Sequence, residues 1–322
     1  MSTAEIGSVK RRPHAKYERL ITQAKQVRSP KAIIVHPCDE SSLRGALEAA
    51  EAGLIEPVLV GPEEKIRAVA QKFGLNISPF EIVHADYSEA AAAKGVQLIH
   101  EAKGEVLMKG SLHTDELMRS VTSGTSGLRT GRRISHVFVM DVPTYKETLF
   151  ITDAAINIFP DLDCKRDIIQ NAIDLYNQTG HEPPRVAILS AVETVTAKIP
   201  STIDAAALCK MADRGQITGG IVDGPLAFDN AIDPEAAEIK RIRSPVAGRA
   251  QILVVPDLEA GNMLAKNLTF LLKADAAGIV LGARVPIILT SRADSLRARM
   301  ASCAVAALYA DARRREVASP AA

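Results

Sequence analysis

The sequence predicts an α/β protein with a largely parallel sheet that is divided between two domains. Short apolar and β-branched runs alternate with helical stretches of ten or more residues, which is the pattern of βαβ units. The chain has 322 residues, a length typical of two domains or of one large α/β unit. The segment "SGTSGLRTGRR" is followed by two adjacent strands, and this break in the alternation indicates that the chain enters a second domain.

The first domain contains three rounds of strand and helix. The strand "AIIVH" (32–36) precedes the helix "DESSLRGALEAAEAG" (39–53), for which Asp39 is a suitable N-cap and Gly53 a suitable end. The strand "PVLVG" and the helix "PEEKIRAVAQKFG" repeat the unit, since proline fits a first helical turn. The third round consists of "FEIVHA", "SEAAAAKGVQLIHEAKG" and "EVLMKG".

The second domain begins with the adjacent strands "ISHVFVMDV" and "TLFITDAAI". The elements predicted after them are helices over 163–179, 201–213 and 261–273, and strands over 185–190, 217–222, 251–255, 277–281 and 286–290. The last helix, in "RADSLRARMASCAVAALYADARRR", has apolar residues at helical spacing, which predicts that it packs back on the first domain. The predicted division is therefore 1–143 plus 292–322 for the first α/β domain and 144–291 for the second.

The composition is that of a soluble globular protein, with 47% hydrophobic and 24% charged residues. The net charge of +1 predicts neither a nucleic-acid nor a membrane partner. The four cysteines are far apart and none forms a CxxC pair, which argues against a zinc site or a disulfide framework and fits a reducing cytosol. No apolar run reaches the ~18 residues of a membrane span, and the N-terminus has no signal-peptide core. We therefore expect a cytoplasmic protein.

Polar and glycine-containing segments follow several of the predicted strands. Parallel sheets bind ligands at the carboxyl ends of their strands, where the loops meet helix N-termini. The segments at these positions are "HPC", "GSLHTDELMR", "DGPLAFDNA", "PDLEAGN" and "SRADS". Neither GxxxxGK[ST] nor a GxGxxG that opens a helix after a strand is present. An anionic ligand therefore has to be held by local hydroxyl, amide and basic groups.

The candidates in these segments also have purely structural interpretations. His113 could begin a helix capped by Thr114 and pair with Asp115 or Glu116. Arg133, with Arg129 in the same Gly-rich segment, could hold phosphate in a backbone nest or be solvated in an interdomain loop. The other candidates could simply form a turn or begin a helix, because their residue types are common at such places. They are Asp223, Gly224, Pro225, Asn262, Ser291 and Asp294.

Five segments taken together resemble the phosphate acetyltransferase and phosphate butyryltransferase family. They are "LMKGSLHTDELMRSV" (107–121), "RRISHVFVMDVP" (132–143), "DGPLAFDNAI" (223–232), "SPVAGRAQILVVPDLEAGNMLAKNL" (244–268) and "PIILTSRADS" (286–295). The resemblance covers nearly the whole chain and is weakest over the first thirty residues. "PDLEAGN" and "SRADS" at this separation are much more specific together than either is alone.

The resemblance implies a two-domain fold of the isocitrate/isopropylmalate dehydrogenase type, with the active site in the cleft between the domains and a homodimer as the usual assembly. It also implies the reaction, in which acyl-CoA and orthophosphate give acyl phosphate and coenzyme A. Coenzyme A is then a substrate, and no permanently bound cofactor is expected.

The resemblance further implies which residues serve the reaction. Ser291 and Arg292 match an active-site pair of the family, and Arg119 matches an arginine further upstream. Two arginines can bind phosphate through forked hydrogen bonds, and a serine hydroxyl can donate to the oxyanion or to the CoA sulfur. Asp294 is the candidate general base. The remaining candidates for substrate binding are Lys109, His113, Arg133, Asp223, Gly224, Pro225 and Asn262.

Two departures from the acetyltransferase pattern qualify these expectations. The acetyltransferases carry an "LRKHKG"-like segment where this chain reads "IHEAKGEVLMKG", and an acid seven residues after the serine where this chain has Ala298. The "LMKG" and "SRADS" forms resemble the butyryltransferase branch more closely. The alternatives to an active enzyme are a non-catalytic CoA-binding paralogue and a dehydrogenase of the same fold.

Overall fold

The computed structural model describes residues 15–124, 126–179, 183–289 and 295–318. Eleven strands of this part of the chain form one sheet in the order β3-β2-β1-β4-β11-β10-β5-β6-β9-β7-β8. Helices connect most of the strands and pack against the sheet. The prediction of an α/β fold is confirmed at this level.

The strands are β1 (Lys31–Val35), β2 (Glu56–Gly61), β3 (Glu81–His84), β4 (Val106–Lys109), β5 (Ser135–Asp141), β6 (Leu149–Thr152), β7 (Arg185–Leu189), β8 (Ile221–Leu226), β9 (Ile252–Val254), β10 (Asp275–Leu281) and β11 (Ile287–Ile288). The helices are α1 (Ala15–Ala24), α2 (Glu40–Glu51), α3 (Glu63–Phe73), α4 (Ser88–His100), α5 (Thr114–Thr122), α6 (Leu162–Gln178), α7 (Pro200–Asp213), α8 (Phe228–Ile232), α9 (Pro234–Ile239), α10 (Leu258–Leu271) and α11 (Leu296–Ala318).

The strands run in two opposite directions, and this determines where their loops lie. β1, β2, β3, β4 and β11 are parallel to one another. β10 is antiparallel to both β11 and β5, and β5 is antiparallel to β6. β6, β9, β7 and β8 are again mutually parallel. The carboxyl ends of the first set and of the second set therefore lie at opposite edges of the sheet.

The caps of the helices follow from the sequence. The Asp39 carboxylate accepts a hydrogen bond from the backbone N–H of Ser42 at 2.8 Å, so the predicted N-cap of α2 is confirmed. α10 begins at Leu258, three residues before the predicted start, because Asp257 caps it by accepting from the N–H of Ala260. Asn262 accordingly lies inside this helix.

The strand predicted over 217–222 lies later in the chain. Gly219 and Gly220 pack against Ile173 of α6, and pairing with β7 begins only at Ile221. Asp223, Gly224 and Pro225 are consequently part of β8, where a turn or loop was expected.

The alanine-rich helix α11 is the central helix of the core, and its residues from Ala301 to Ala310 are all buried. It packs against α1, α2 and β4, as the apolar spacing predicted, and also against β10, β11 and α6. Tyr17 of α1 is fully buried, and its hydroxyl donates to the carbonyl of Val139 at 2.5 Å. Of the helices in the described ranges, none combines the length and apolar character that a membrane crossing requires.

Candidate functional site

Three adjacent parallel strands, β1, β4 and β11, end at the same edge of the sheet. Val35 is paired with Lys109 at this edge, and Met108 is paired with Ile288. Since ligands of parallel sheets bind beyond the carboxyl ends of the strands, the loops that follow Val35 and Lys109, with Leu289 just beyond β11, form the described part of the candidate site.

Gly110 holds the loops after β1 and β4 together. Its N–H donates to the carbonyl of Val35, and the N–H of Ser111 donates to the carbonyl of His36, both at 2.9 Å. A Cβ atom at Gly110 would lie 2.4 Å from the Val35 carbonyl oxygen and 2.6 Å from that of His36. Only glycine permits this approach, so Lys109 and Ser111 are held against the end of β1.

The Ser111 hydroxyl is the centre of a small hydrogen-bond network. It donates to the carbonyl of His36 at 2.8 Å, lies 2.9 Å from Nδ1 of the same residue, and accepts from the N–H of Cys38 at 3.3 Å. His36 has a φ of +56°, a left-handed conformation that costs energy for any residue with a Cβ. The network therefore fixes the hydroxyl of Ser111 at the strand edge.

The titratable groups of this network are neutral at pH 7. Burial, followed by the positive charge of Lys65, lowers the pKa of His36 below its ordinary value. Burial raises the pKa of the Cys38 thiol to about 11. The thiol is consequently protonated at pH 7 and is a poor nucleophile.

Lys109 and His113 lie on either side of Ser111. The ammonium group of Lys109 donates to the carbonyls of Gly110 at 3.3 Å and Leu112 at 3.1 Å. His113 is exposed and occupies the N-cap position of α5 without a side-chain capping bond, so the structural alternative with Thr114 as the N-cap is wrong. Lys109 is half-buried and held by these carbonyls, whereas the imidazole of His113 is exposed at the loop surface.

Arg119 lies on α5 with a side chain that is 71% exposed. Its guanidinium group lies 3.5 Å from a carboxylate oxygen of Glu89 and 3.9 Å from one of Asp115. Exposed ion pairs of this kind contribute about 1 kcal/mol or less, so Arg119 can exchange these partners for an anionic ligand at little cost.

The structure does not bring the other predicted binding residues to this edge. Asp223, Gly224 and Pro225 lie in β8, which is seven strand positions from β4, or about 34 Å at the usual strand spacing. Asn262 donates to the carbonyl of Ala154, just beyond the carboxyl end of β6. Because β6 and β8 run opposite to β4, their carboxyl ends lie at the other edge.

Arg133 lies at that other edge too, because it precedes β5. It is exposed, and its backbone N–H donates to Asp167 at 2.9 Å. Arg132 next to it forms an ion pair with Asp174, and Arg166 lies 3.0 Å from Asp167. A cavity of about 450 Å³ is lined by these arginines and by Arg129. The predicted phosphate nest of the Gly-rich segment stays a prediction, and its arginines lie apart from the Ser111 loop.

Ser291, Arg292 and Asp294 lie outside the described residues. The last described residue before them is Leu289, one position beyond β11, and Ser295 is the first described residue after them. Ser295 lies 3.5 Å from the carboxylate of Asp275, and Arg297 forms an ion pair with the same carboxylate at 3.5 Å. Asp275 is thus an acid at the start of β10 beside this segment.

Neither His36, in the segment "HPC" after β1, nor the pair His136 and Asp153 is among the site residues that the sequence predicts. The signal for Asp153 was an acid directly after the apolar run "LFIT". Its carboxylate accepts the backbone N–H groups of Ala155 and Ile156 at 3.0 Å and that of Asn157 at 3.2 Å. Asp153 therefore shapes the turn beyond β6.

His136 is buried in β5, and its Nδ1 has no hydrogen-bond partner within the described ranges. Burial lowers its pKa to about 4, while the charge of Asp153 opposes that shift. The unfolded chain, with a pKa near 6.5, therefore binds more protons than the folded chain between the two values. The contribution of the neutral His136 imidazole to the free energy of unfolding is therefore fully present above pH 6.5 and is lost as the pH falls toward 4.

We expect the variant His136→Gln to lose this part of the pH dependence. In the wild type, His136 makes the free energy of unfolding larger at pH 7 than at pH 4 by on the order of 3 kcal/mol. Urea unfolding of both proteins between pH 4.5 and 7.5 measures it, as a difference in slope of up to about 1.4 kcal/mol per pH unit. Parallel curves for the two proteins would contradict the assignment to His136.

Within the described residues, no three His, Cys, Asp or Glu side chains cluster as metal ligands do. The candidate site consists of a lysine, two histidines and a serine on the loops after β1 and β4, and of Arg119 on the helix α5 that follows the second loop. These groups can hold an anion and donate hydrogen bonds to it.

Comparison with known proteins gives a consistent result. The model of the phosphate acetyl/butaryl transferase family matches residues 86–307. The chain is 72% identical over 300 residues to a phosphate acetyltransferase of Rhizobium meliloti, covering 93% of this chain and 95% of that protein. It is 40% identical over 294 residues to a phosphate butyryltransferase of Clostridium acetobutylicum, covering 91% and 98%. Its fold matches a branched-chain phosphotransacylase from Enterococcus faecalis V583 with a TM-score of 0.76 at 28% identity, covering 87% and 99%.

Proposed function

Because this chain belongs to the phosphate acetyl/butaryl transferase family, we propose that it transfers a short-chain acyl group between coenzyme A and orthophosphate. The family match over residues 86–307 carries this proposal, because it includes the Ser111 loop, Arg119 and the segment 291–294. The substrates are acyl-CoA and orthophosphate in one direction and acyl phosphate and coenzyme A in the other. Coenzyme A acts as a substrate, and the reaction needs no permanently bound cofactor.

The proposed chemistry is a direct attack in a ternary complex. A phosphate oxygen adds to the thioester carbonyl, the C–S bond breaks, and the sulfur leaves as a thiolate that becomes the CoA thiol. Arg292 and Arg119 bind and orient the phosphate, and Ser291 donates to the oxyanion or to the leaving sulfur. Lys109 and His113 add a cation and a hydrogen-bond donor at the loop surface.

A covalent acyl-cysteine is not required, and the cysteines of the chain are poorly suited to form one. Burial raises the pKa of Cys164 to about 11, as it does for Cys38, and the pKa values of Cys209 and Cys303 to about 12. All four thiols are therefore protonated at pH 7, whereas the nucleophile of an acyl-enzyme mechanism is a thiolate.

Two acids are candidates for the general base. Asp294 is the first candidate because it lies in "SRADS" beside Ser291 and Arg292 in the sequence. The position at which the family has its acid is occupied here by Ala298, which is buried in α11. Asp275 is the second candidate, because its carboxylate lies beside Ser295. Separate Asp294→Asn and Asp275→Asn variants distinguish the two, since loss of the base removes the acid limb of the pH–rate profile of kcat.

The test of the proposed function is kcat/KM for acetyl-, propionyl- and butyryl-CoA with orthophosphate. The 72% identity to an acetyltransferase, against 40% to a butyryltransferase, favours acetyl-CoA, although individual motifs resemble the butyryl branch. One methylene in an apolar pocket changes kcat/KM by about 10–200-fold. If phosphate releases CoA from none of the three thioesters, while CoA still binds, the chain is a non-catalytic paralogue.

The proposed architecture is the two-domain isocitrate/isopropylmalate dehydrogenase type. The first domain comprises 1–143 plus 292–322, and the second comprises 144–291. The packing of α11 on α1 and α2 supports placing the C-terminal helix with the first domain. The residues at the other edge, Arg133, Asp223, Gly224, Pro225 and Asn262, remain predictions for substrate binding and lie apart from the Ser111 loop. Cleavage by a protease near residues 143 and 291 that leaves 144–291 folded on its own, with 1–143 and 292–322 still associated, would support the division.

A homodimer is the proposed assembly, and the apolar face of α10 is the proposed interface. Met263, Phe270 and Leu271 on this helix are exposed, and Phe159 in the segment next to its start is 79% exposed. Apolar surface of this extent on a soluble chain marks an interaction site. We expect Phe270→Asp to give a monomer by light scattering, whereas an unchanged dimer would exclude this face.

A cytoplasmic location is proposed on the reduced state of the four cysteines.

A further inference from the structure

A groove of about 890 Å³ lies at the edge of the sheet opposite the Ser111 loop. It is bounded by the amino ends of β1, β4 and β11, at Lys31, Glu105 and Pro286, and by the last turns of α11. The same three strands therefore carry the candidate active site at one end and this groove at the other. The five residues of β1 separate the two by about 16 Å.

The groove is strongly basic, although the whole chain has a net charge of only +1. One carboxylate, that of Glu105, faces six basic side chains, which are Arg28, Lys31, Lys103, Arg284, Arg313 and Arg314. Glu101 forms an ion pair with Lys103 at 2.8 Å and Asp311 one with Arg314 at 3.3 Å, so the local excess among the described residues is three positive charges. Such a concentration in a concave surface attracts and holds anions.

Glu105 neutralises only part of this charge. It forms an ion pair with Arg28 at 2.7 Å, accepts from the backbone N–H of Lys31 at 3.3 Å, and lies 3.5 Å from Nε of Arg314. Lys31, Arg284 and Arg313 form no ion pair with any described residue. These three cations are therefore available to a ligand.

Two guanidinium nitrogens of Arg314 are hydrogen-bond donors that have no acceptor among the described residues. Its Nη2 donates to the carbonyl of Arg28 at 2.7 Å, whereas Nε and Nη1 are buried and make no hydrogen bond with a described residue. The distance of 3.5 Å between Nε of Arg314 and the carboxylate oxygen of Glu105 is too long for a good N–H···O hydrogen bond. Buried donors without a partner cost free energy, and a bound anion would satisfy them.

One wall of the groove is apolar. It consists of Ile99, Val285, Pro286, Ala310 and Val317. Inorganic phosphate alone would not use such a wall, whereas a ligand with a flat apolar ring and several negative charges would contact both parts. The volume lies within the range of small-molecule sites.

We propose that this groove is a binding site for a nucleotide, whose phosphates contact Arg284, Arg313 and Arg314 and whose base packs against Val285 and Pro286. Arginine is suited to phosphate because its planar fork forms two parallel hydrogen bonds to it. The site is distinct from the candidate active site and does not depend on the proposed acyl transfer.

Titration calorimetry with ADP on the full chain tests the proposal. We expect the wild type to bind ADP, and Arg284→Ala/Arg313→Ala to raise the Kd at least about tenfold. Neither arginine is deeply buried, so both variants should fold, and a melting curve checks this. Arg67→Ala, which removes an exposed arginine of α3 outside the groove, serves as the matched control and should leave the Kd unchanged.

Two further measurements separate the groove from the active site and define the ligand. The double variant should keep the KM for acyl-CoA within about twofold, because none of the predicted substrate-binding residues lines the groove. Pyrophosphate should bind at least tenfold more weakly than ADP, since it lacks the base. Equal ADP affinity in wild type and double variant, a KM that rises together with the Kd, or pyrophosphate that binds as tightly as ADP would overturn the nucleotide site.

Discussion

Arg292→Ala is expected to lower kcat for the transfer of acetyl from acetyl-CoA to phosphate by at least about 100-fold. The attacking phosphate carries negative charge, and negative charge also develops on the thioester oxygen in the transition state. Removal of one such charged contact costs about 3–4 kcal/mol of transition-state stabilisation. Steady-state kinetics with both substrates varied measures the loss. Arg292→Lys should recover only part of it, because an ammonium group cannot form the paired hydrogen bonds of a guanidinium.

The matched control for Arg292→Ala is Arg315→Ala. Arg315 lies near the end of α11, is 70% exposed and pairs with Asp311, so its loss removes one positive charge from the surface. It should change kcat by less than about twofold. A loss of less than about tenfold in Arg292→Ala would remove this residue from the catalytic set, even if the chain proves to be an acyltransferase.

Gly110→Ala is expected to damage both stability and activity. The new methyl group would lie 2.4 Å from the carbonyl oxygen of Val35 and 2.6 Å from that of His36, and neither backbone atom can move without distorting β1. Forcing extra volume into a packed position costs about 1–3 kcal/mol. The shift also displaces Lys109 and Ser111, so kcat/KM should fall at least tenfold, since small misplacements of binding groups have large effects on rate.

Gly124→Ala is the control for this variant. Nothing lies within 4 Å of the corresponding Cβ position, and the residue does not have a positive φ. Its unfolding free energy should stay within about 0.5 kcal/mol of the wild type. Chemical denaturation compares the two alanine variants, and similar stabilities would show that the contact between the β1 and β4 loops does not constrain the chain.

Much of the fold could be predicted because its signals are local. β1, β2 and β4 are runs of apolar and β-branched residues, and Asp39 caps α2 through its own side chain. The prediction failed where a distant neighbour determines the element. β8 starts at Ile221 because Gly219 and Gly220 pack against Ile173 in α6, and no local pattern reports that contact.

The candidate site was predicted in part for the same reason. The loop from Lys109 to His113 was found because it follows a clear strand and matches a family segment. His36 was not assigned, since its contact with Ser111 joins residues that are 75 positions apart. The group at the other edge was expected alongside Lys109 because each segment follows a strand. This holds only if all the strands run in one direction. The direction reverses from β11 to β10, again from β10 to β5, and a third time from β5 to β6, so β6 and the strands beyond it run opposite to β4.

The sequence by itself determined the α/β class, most of the helix starts and the family, because periodicity, capping residues and motifs are properties of short segments. Only the tertiary structure decided which strand ends share an edge, how closely Gly110 approaches β1, and that His136 is neutral at pH 7. These properties depend on strand direction, on the distance between backbones and on burial, each of which arises when segments far apart in the chain pack together.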